Sequence, residues 1–379
     1  MAEHWQQRPL LIRATDPGRF ALLLTLTHID ELLTQRRLGP SRIRMAKGGG
    51  STLEAAAFTR PDGSFDPSRG IKVFLDGGTL ILNHLHLDIP QLTSFCQDIS
   101  DELKTEMQCN VYVTPAVSQG FPVHYDTHDV FIAQAHGSKL WKLYDSPLSL
   151  PLAGQPHDTS GATPGRLSAE IELSEGDVLY IPRGYYHEAS TSECMSVHLT
   201  FGLMAKSWSE LLLETVSCAA LELNELRAAP YPGYGMNPAS ELADRDALIS
   251  MIDRVNDFVR SRSMSEILQP QVLYPRTRTM AGRFMDLVLL ADLSVTSLVA
   301  LRPDLAPVLK LEGDQTVVVS DDVSVFFPAR VQAALVAALI PDGLRVGDLP
   351  DCLDDDGKIL MVRKLIENGI LGFMQANRT

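Results

Sequence analysis

Between residues 109 and 202 the chain runs through five segments suited to pleated sheet: CNVYVTP, VHYDTHDVFIAQA, KLWKLYD, AEIELSEGDVLYIP and MSVHLTFG. Their β-branched and aromatic side chains favour extended backbone. The stretches between them, SQGFP, HGS, SEGD and PRGY, hold the glycine, proline and serine that tight turns use. Many short strands joined this way close into a sandwich or a barrel.

The second segment carries the chemistry. In a strand, residues i and i+2 point to the same face, so His124 and Asp126 of FPVHYDTHDVF project together while Val123 and Tyr125 project oppositely. One imidazole and one carboxylate so placed can grip a metal ion, and a third ligand has to come from elsewhere. His187 in GDVLYIPRGYYHEA is the candidate, because a strand from Val178 to Ile181 and a turn at Pro182 to Gly184 return the chain toward the same barrel mouth. Two histidines and one carboxylate occupy one face of an octahedral ion and leave the other face open, the pattern of non-haem Fe(II) oxygenases. A 2-oxo acid takes two open positions and dioxygen the third. Three ligands are also compatible with zinc. Histidines that merely pack are the other reading, but unpaired His and Asp so close together are costly without an ion. His128 lies on the same face as the motif and is read as a pocket or supporting residue, not a fourth ligand.

A dicarboxylate cosubstrate needs a cation. In KLWKLYD, Lys139 shares a face with Trp141 and Leu143, and Lys142 with Leu140 and Tyr144, so alternation alone leaves either lysine inward. A buried lysine demands an anion or an unusual pKa. Asn110, Tyr112 and Thr114 share a face of CNVYVTP, where the Tyr112 hydroxyl can add a hydrogen bond.

The flanks read differently. Helical spacing of apolar residues predicts helices over Thr27–Leu38, Pro90–Met107, Trp208–Leu226 and Arg245–Ser261. Glycine and proline density predicts loops over Lys47–Gly50 and Pro61–Gly70. The two helices of 206–265 either pack onto the barrel or form a dimer interface. Residues 266–379 offer strands at Val308–Leu311, Thr316–Ser320 and Val323–Phe327, then helices at Ala329–Leu339 and Lys358–Asn368, a winged-helix-like order. Asp351 and Asp354 to Asp356 precede the last helix, where acid stabilises the helix but repels phosphate, so the module is read as structural or protein-binding.

At 379 residues, two or three domains are expected. A net charge of −14 argues against broad nucleic-acid binding. Five cysteines with no CxxC pair argue for free thiols in a reducing compartment. The N-terminus lacks the apolar run of a signal peptide, and no run is long enough to span a bilayer. A cytoplasmic protein is expected.

Residues 110–202 resemble the JmjC/cupin-4 family, in particular its ribosomal-oxygenase branch of protein hydroxylases. The matching pieces are NVYVTP, SQGFPVHYDTHDVFIAQAHGSKLWKLYD, LSEGDVLYIPRGYYHEA and SVHLTFG, with HWQQRPLLIRA, IRMAKGG and GGTLILNHL similar upstream. The resemblance implies a mixed fold with a mainly β core. It consists of a double-stranded β-helix (cupin/JmjC) barrel over 1–205, a helical dimerisation region over 206–265 and a winged-helix-like C-terminal domain over 266–379. It implies Fe(II) held by His124, Asp126 and His187, with 2-oxoglutarate and dioxygen as cosubstrates. It favours Lys139 over Lys142 for the cosubstrate carboxylate, with Tyr112 beside it. Asn110 matches an active-site asparagine, and His198 lies on a strand near the cosubstrate. The implied reaction is hydroxylation of an amino-acid side chain in a ribosomal or other protein by a homodimer. A small-molecule or natural-product peptide substrate, lysine demethylation, and a non-catalytic metal-binding interaction protein are the rival readings.

Overall fold

The computed structural model describes residues 3–35, 39, 41–48, 51–145, 148–155, 164–232, 234–235, 238–267, 282–302, 305, 307–320 and 323–374. They fall into two compact units, Met1–Tyr274 and Pro275–Thr379.

Eleven named strands of the first unit make two sheets. They are β1 (Leu10–Ile12), β2 (Ile43–Lys47), β3 (Ser51–Thr52), β4 (Thr79–Leu82), β5 (Met107–Thr114), β6 (Asp129–His136), β7 (Lys139–Tyr144), β8 (Leu167–Leu173), β9 (Val178–Ile181), β10 (His187–Ser190) and β11 (Ser196–Leu203). The major sheet has the order β1-β9-β6-β11-β5-β4-β2-β3 and the minor sheet β10-β7-β8. Every pairing is antiparallel. β11 lies between β5 and β6, so His198 pairs with Tyr112 on one side and Gln134 on the other. The core is mainly β, built from these two antiparallel sheets.

Alternation along the strands divides the side chains between two cores. Val130, Ile132, Trp141, Leu143, Leu173, Leu179 and Ile181 form one apolar cluster, drawn from both sheets. Val111, Val113, Ala133, Leu199 and Phe201 belong to the larger cluster, with residues of helices α1 (Leu26–Gln35) and α3 (Pro90–Leu103). Between these helices lies α2 (Pro67–Leu75).

Three local expectations change. The loop expected over Pro61–Gly70 becomes the start of α2 at Pro67, because the Asp66 carboxylate caps the Arg69 amide at 3.2 Å and proline suits a first helical turn. Lys47 ends β2, and Gly49 and Gly50 lie outside the described residues, as do Arg36 to Leu38 of the first expected helix. Helix α3 stops at Leu103, not at Met107. Lys104 takes a left-handed turn whose amide bonds back to Ser100, and the Ser100 hydroxyl accepts from the Met107 amide that opens β5.

After the barrel come α4 (Trp208–Glu222), α5 (Asn224–Arg227) and α6 (Glu241–Arg260). A capping box at Ser207 and Glu210 starts α4. The second unit has its own apolar core, built from residues such as Val299, Val318, Leu335, Val362 and Leu365. Two three-stranded antiparallel sheets and helices Arg283–Leu289, Gln332–Ala338 and Asp355–Glu367 enclose it. All five cysteines are free thiols.

Candidate metal centre

His124 and Asp126 do not sit on a regular strand. The backbone from Phe121 to His128 is irregular, and β6 begins only at Asp129. His124 is held instead by an isolated antiparallel bridge to His187, the first residue of β10. The His124 amide donates to the His187 carbonyl at 3.0 Å, and the His187 amide to the His124 carbonyl at 2.7 Å. Asp126 is tied to the same turn, because its carbonyl accepts from the Gly184 amide at 2.9 Å.

Donor atoms of His124, Asp126 and His187 all lie within 4.8 Å of one another. The His187 Nε2 is 3.7 Å from Asp126 Oδ2, and the two imidazole centroids are 4.5 Å apart. Each imidazole is tethered at Nδ1 to the carbonyl two residues earlier: Pro122 at 2.8 Å and Tyr185 at 3.0 Å. A carbonyl can only accept, so each Nδ1 carries the proton and each Nε2 presents a lone pair. Burial, reinforced by the charge of His124, pushes His187 down to about 4, which keeps it neutral near pH 7. Burial pushes the Asp126 carboxyl up, but the imidazoles of His187, His124 and His128 outweigh it and hold it below the ordinary carboxylate range. Two bare imidazole nitrogens and a carboxylate facing one another are a donor set that suits a divalent ion.

These three residues line a cleft of about 70 Å³ together with Tyr112, Lys139, Trp141 and His198. Lys139 is 4% exposed, and its Nζ donates to the Thr114 hydroxyl at 2.9 Å. Burial drives its pKa down to about 7. Lys142, the other candidate, points outward and pairs with Glu170 at 3.7 Å. His198 stacks on Tyr112 with centroids 4.8 Å apart and rings 3° from parallel. Burial and then the nearby Lys139 charge hold His198 well below its ordinary pKa. Burial, with the Asp126 charge adding to it, pushes Tyr112 up to about 12. The Trp141 ring touches both His187 and His198, at 5.9 and 5.4 Å. Buried Trp141 Nε1 and His198 Nδ1 have no hydrogen-bond partner among the described residues, and a buried polar atom left so is costly.

Residues 85–211 match the family model for the JmjC domain. The chain carries a JmjC domain. Ribosomal oxygenase 2 of Bos taurus is 30% identical over 270 residues, which cover 68% of this chain and 55% of the relative. The bifunctional lysine-specific demethylase and histidyl-hydroxylase NO66 of Culex quinquefasciatus is 31% identical over 218 residues, covering 56% of this chain and 33% of the relative. The chain thus spans about half or less of the length of these curated relatives. In fold it is similar to the Escherichia coli ribosomal oxygenase YcfD, with a TM-score of 0.55 and 16% identity, covering 98% of this chain and 96% of the other.

Within the JmjC domain, six of the seven residues singled out in the sequence line one cleft. Asn110 is not among its lining residues. Its Oδ1 accepts from the amide of His84, which sits in the left-handed region at φ 52°. Sequence reasoning placed Thr114 on the right face but gave it no role, and it gave none to Trp141 or Thr79. Inward alternation from Lys139 through Trp141 to Leu143 was the available signal for the tryptophan. The Thr79 hydroxyl bonds Thr114 at 3.3 Å across a pair of strands that sequence pattern does not join.

Proposed function

We propose that this chain is an Fe(II)- and 2-oxoglutarate-dependent oxygenase that hydroxylates an amino-acid side chain of a ribosomal or other protein. One observation carries the reading. A buried lysine without an acidic partner among the described residues shares a small cleft with a two-histidine, one-carboxylate cluster. A metal alone would leave that lysine unexplained, and a bound dicarboxylate answers it. The relatives point the same way by name, and YcfD has been solved with cobalt and 2-oxoglutarate.

In this reading His124, Asp126 and His187 would hold the ion, which would supply the binding of cosubstrates. Lys139 receives the distal carboxylate of 2-oxoglutarate, with Tyr112 and Thr114 as hydrogen-bonding neighbours. His198 and Trp141 would wall the cosubstrate, and the Trp141 indole N–H is available to its oxygens. Phe121, Val130 and Ile132 line the cleft and keep water from the reacting centre. Bound iron, 2-oxoglutarate and dioxygen supply the oxidising chemistry; the protein supplies orientation and shielding. Asn110 acts at one remove, by holding the His84 turn beside the sheet.

The printed name of the NO66 relatives supports a second outcome, demethylation of a methyl-lysine. Catalytic residues 1–205, a helical dimerisation region 206–265 and a winged-helix-like domain 266–379 are the proposed division. The exposed apolar stripe Trp208, Leu212 and Val216 on α4 supports the homodimer. Free thiols suit the cytoplasm. Among the described residues no helix is long and apolar enough to cross a membrane.

The test is turnover with iron, 2-oxoglutarate, dioxygen and ribosomal-protein peptides, read by mass spectrometry and succinate release. Gain of one oxygen atom on a peptide supports hydroxylation, and release of formaldehyde supports demethylation. No 2-oxoglutarate consumption with ribosomal peptides, whole-cell protein or small-molecule extracts overturns the oxygenase reading.

A further inference from the structure

The similarity of HWQQRPLLIRA to the family leaves its N-terminal half without a role in the chemistry above, yet the fold spends a set of polar contacts on it, two of them part-buried. Trp5 stacks on Tyr180 of β9, centroids 6.2 Å apart and rings 9° from parallel. The Gln6 amide donates to the Tyr180 hydroxyl at 2.9 Å, and that hydroxyl donates to Asp129 Oδ1 at 2.7 Å. The Gln6 side chain reaches Asp129 Oδ2 at 3.4 Å. Next to it, the Gln7 carbonyl accepts from the Tyr185 hydroxyl at 2.7 Å. Tyr180 and Asp129 are 0% and 1% exposed. Gln6 adopts φ 55°, a left-handed conformation that a non-glycine residue keeps only where its surroundings hold it there.

These contacts fall on both sides of the triad. Asp129 lies three residues after Asp126 and anchors the irregular stretch that carries it. Tyr185 lies two residues before His187, and its carbonyl orients the His187 imidazole. The bond from the Gly184 amide to the Asp126 carbonyl joins the two stretches directly. Because Asp126 is not on a regular strand, no sheet ladder fixes its backbone. Beyond the single bond to Gly184, side-chain contacts add to what fixes it.

We propose that residues Trp5–Gln7 are a positioning clamp for the metal centre. Through Tyr180 and Asp129 on one side and Tyr185 on the other, the clamp holds the 126–129 and 184–187 stretches at the separation that one ion requires. Residues that orient metal ligands typically change affinity 10–100-fold when removed, and a clamp acting one step further away belongs at the low end of that range. Trp5, Gln6 and Tyr180 are positioning residues and touch no reacting atom. The inference rests on the metal-binding reading of the triad.

The test uses Co(II) as probe, titrated into the metal-free full chain and followed by its visible absorption, with no turnover required. Wild type has to bind, and Asp126→Ala has to lose binding; failure there overturns the metal centre itself and not the clamp alone. Given binding, Gln6→Ala and Tyr180→Phe each weaken Co(II) affinity about tenfold. Because both remove a side-chain contact to Asp129, with the Gln6 main-chain amide left in place, the double variant is no weaker than the poorer single one. Leu92→Val, in the apolar core of α3, serves as a control for lost stability. If Leu92→Val at matched melting temperature weakens Co(II) equally, the contacts are merely structural. Wild-type affinity in both clamp variants, or strictly additive losses, also overturns the proposal. Should Tyr180→Phe fail to fold, Gln6→Ala and Trp5→Phe, both on half-buried residues, carry the same comparison.

Discussion

His124 and His187 exchange both of their backbone hydrogen bonds, at 3.0 and 2.7 Å, so the two imidazoles of the candidate centre are aligned by the main chain before any ion binds. Their Nδ1 tethers come from their own local turns, not from each other. The geometry therefore survives loss of either side chain.

Replacing His187 by Ala, then, removes a ligand without removing the bridge. The expected result is loss of Co(II) or Fe(II) affinity by more than about 100-fold and loss of turnover, with far-ultraviolet circular dichroism unchanged. Isothermal titration of the metal and a melting curve check both halves. Unfolding of His187→Ala contradicts the backbone argument.

Lys139 yields a pH prediction. Its folded pKa, about 7, lies below the ordinary lysine value of 10.5, so burial opposes the charged form. Below about pH 7 both folded and unfolded chains carry the proton, and the full penalty is present. Between about 7 and 10.5 only the unfolded chain does, so the penalty fades as pH rises. Lys139→Met therefore stabilises the metal-free protein, by a few kcal/mol at most from a shift of this size. That gain is largest at and below neutral pH and smaller at pH 9, as denaturant melts at several pH values will show.

In the proposed function the same lysine is expected to set cosubstrate affinity. A dicarboxylate binds the ammonium form, so above about pH 7 binding takes up a proton. Affinity for 2-oxoglutarate then falls by up to about tenfold per pH unit. Calorimetry in two buffers of different ionisation enthalpy measures the proton uptake directly. Lys139→Met abolishes the pH dependence along with binding, and Thr114→Val weakens binding without abolishing it.

Asn110 holds the amide of His84, a residue in the left-handed region. Asn110→Ala leaves that amide without its partner and costs about 1 kcal/mol or somewhat more. Adding His84→Gly, which tolerates the same φ, recovers part of the loss in chemical denaturation.

On α4, Trp208 is 80% exposed and Leu212 60% exposed, one turn apart on one face, with Val216 next in line. Leu212→Glu is expected to convert a dimer to a monomer in light scattering while leaving metal binding intact. A wild-type monomer at micromolar concentration rejects the homodimer.

Much of this was legible in the chain alone. Turn residues at short intervals and β-branched runs specify strands β5 to β9 and β11, though not the short β10, because those signals act within a few residues. The candidate metal donors, which the structure brings together, stood out because only a few residue types bind metals, and a His, an Asp and a distal His are conspicuous. Periodicity also located α3 and α4 to within a turn or two. What the sequence could not decide depends on partners distant along the chain. Alternation left Lys139 and Lys142 equal, and only the closure of β7 against β8 and β10 turned Lys139 inward and left Lys142 with Glu170. The strand reading of HYD gave the correct company for His124 and Asp126 but the wrong reason. Their convergence comes from the bridge to His187 and the bond to Gly184, long-range hydrogen bonds that no local pattern encodes. Local propensity is a short-range energy and can be read in one dimension. Which buried face a side chain joins is settled by the pairing of strands, and that exists only once the barrel has closed.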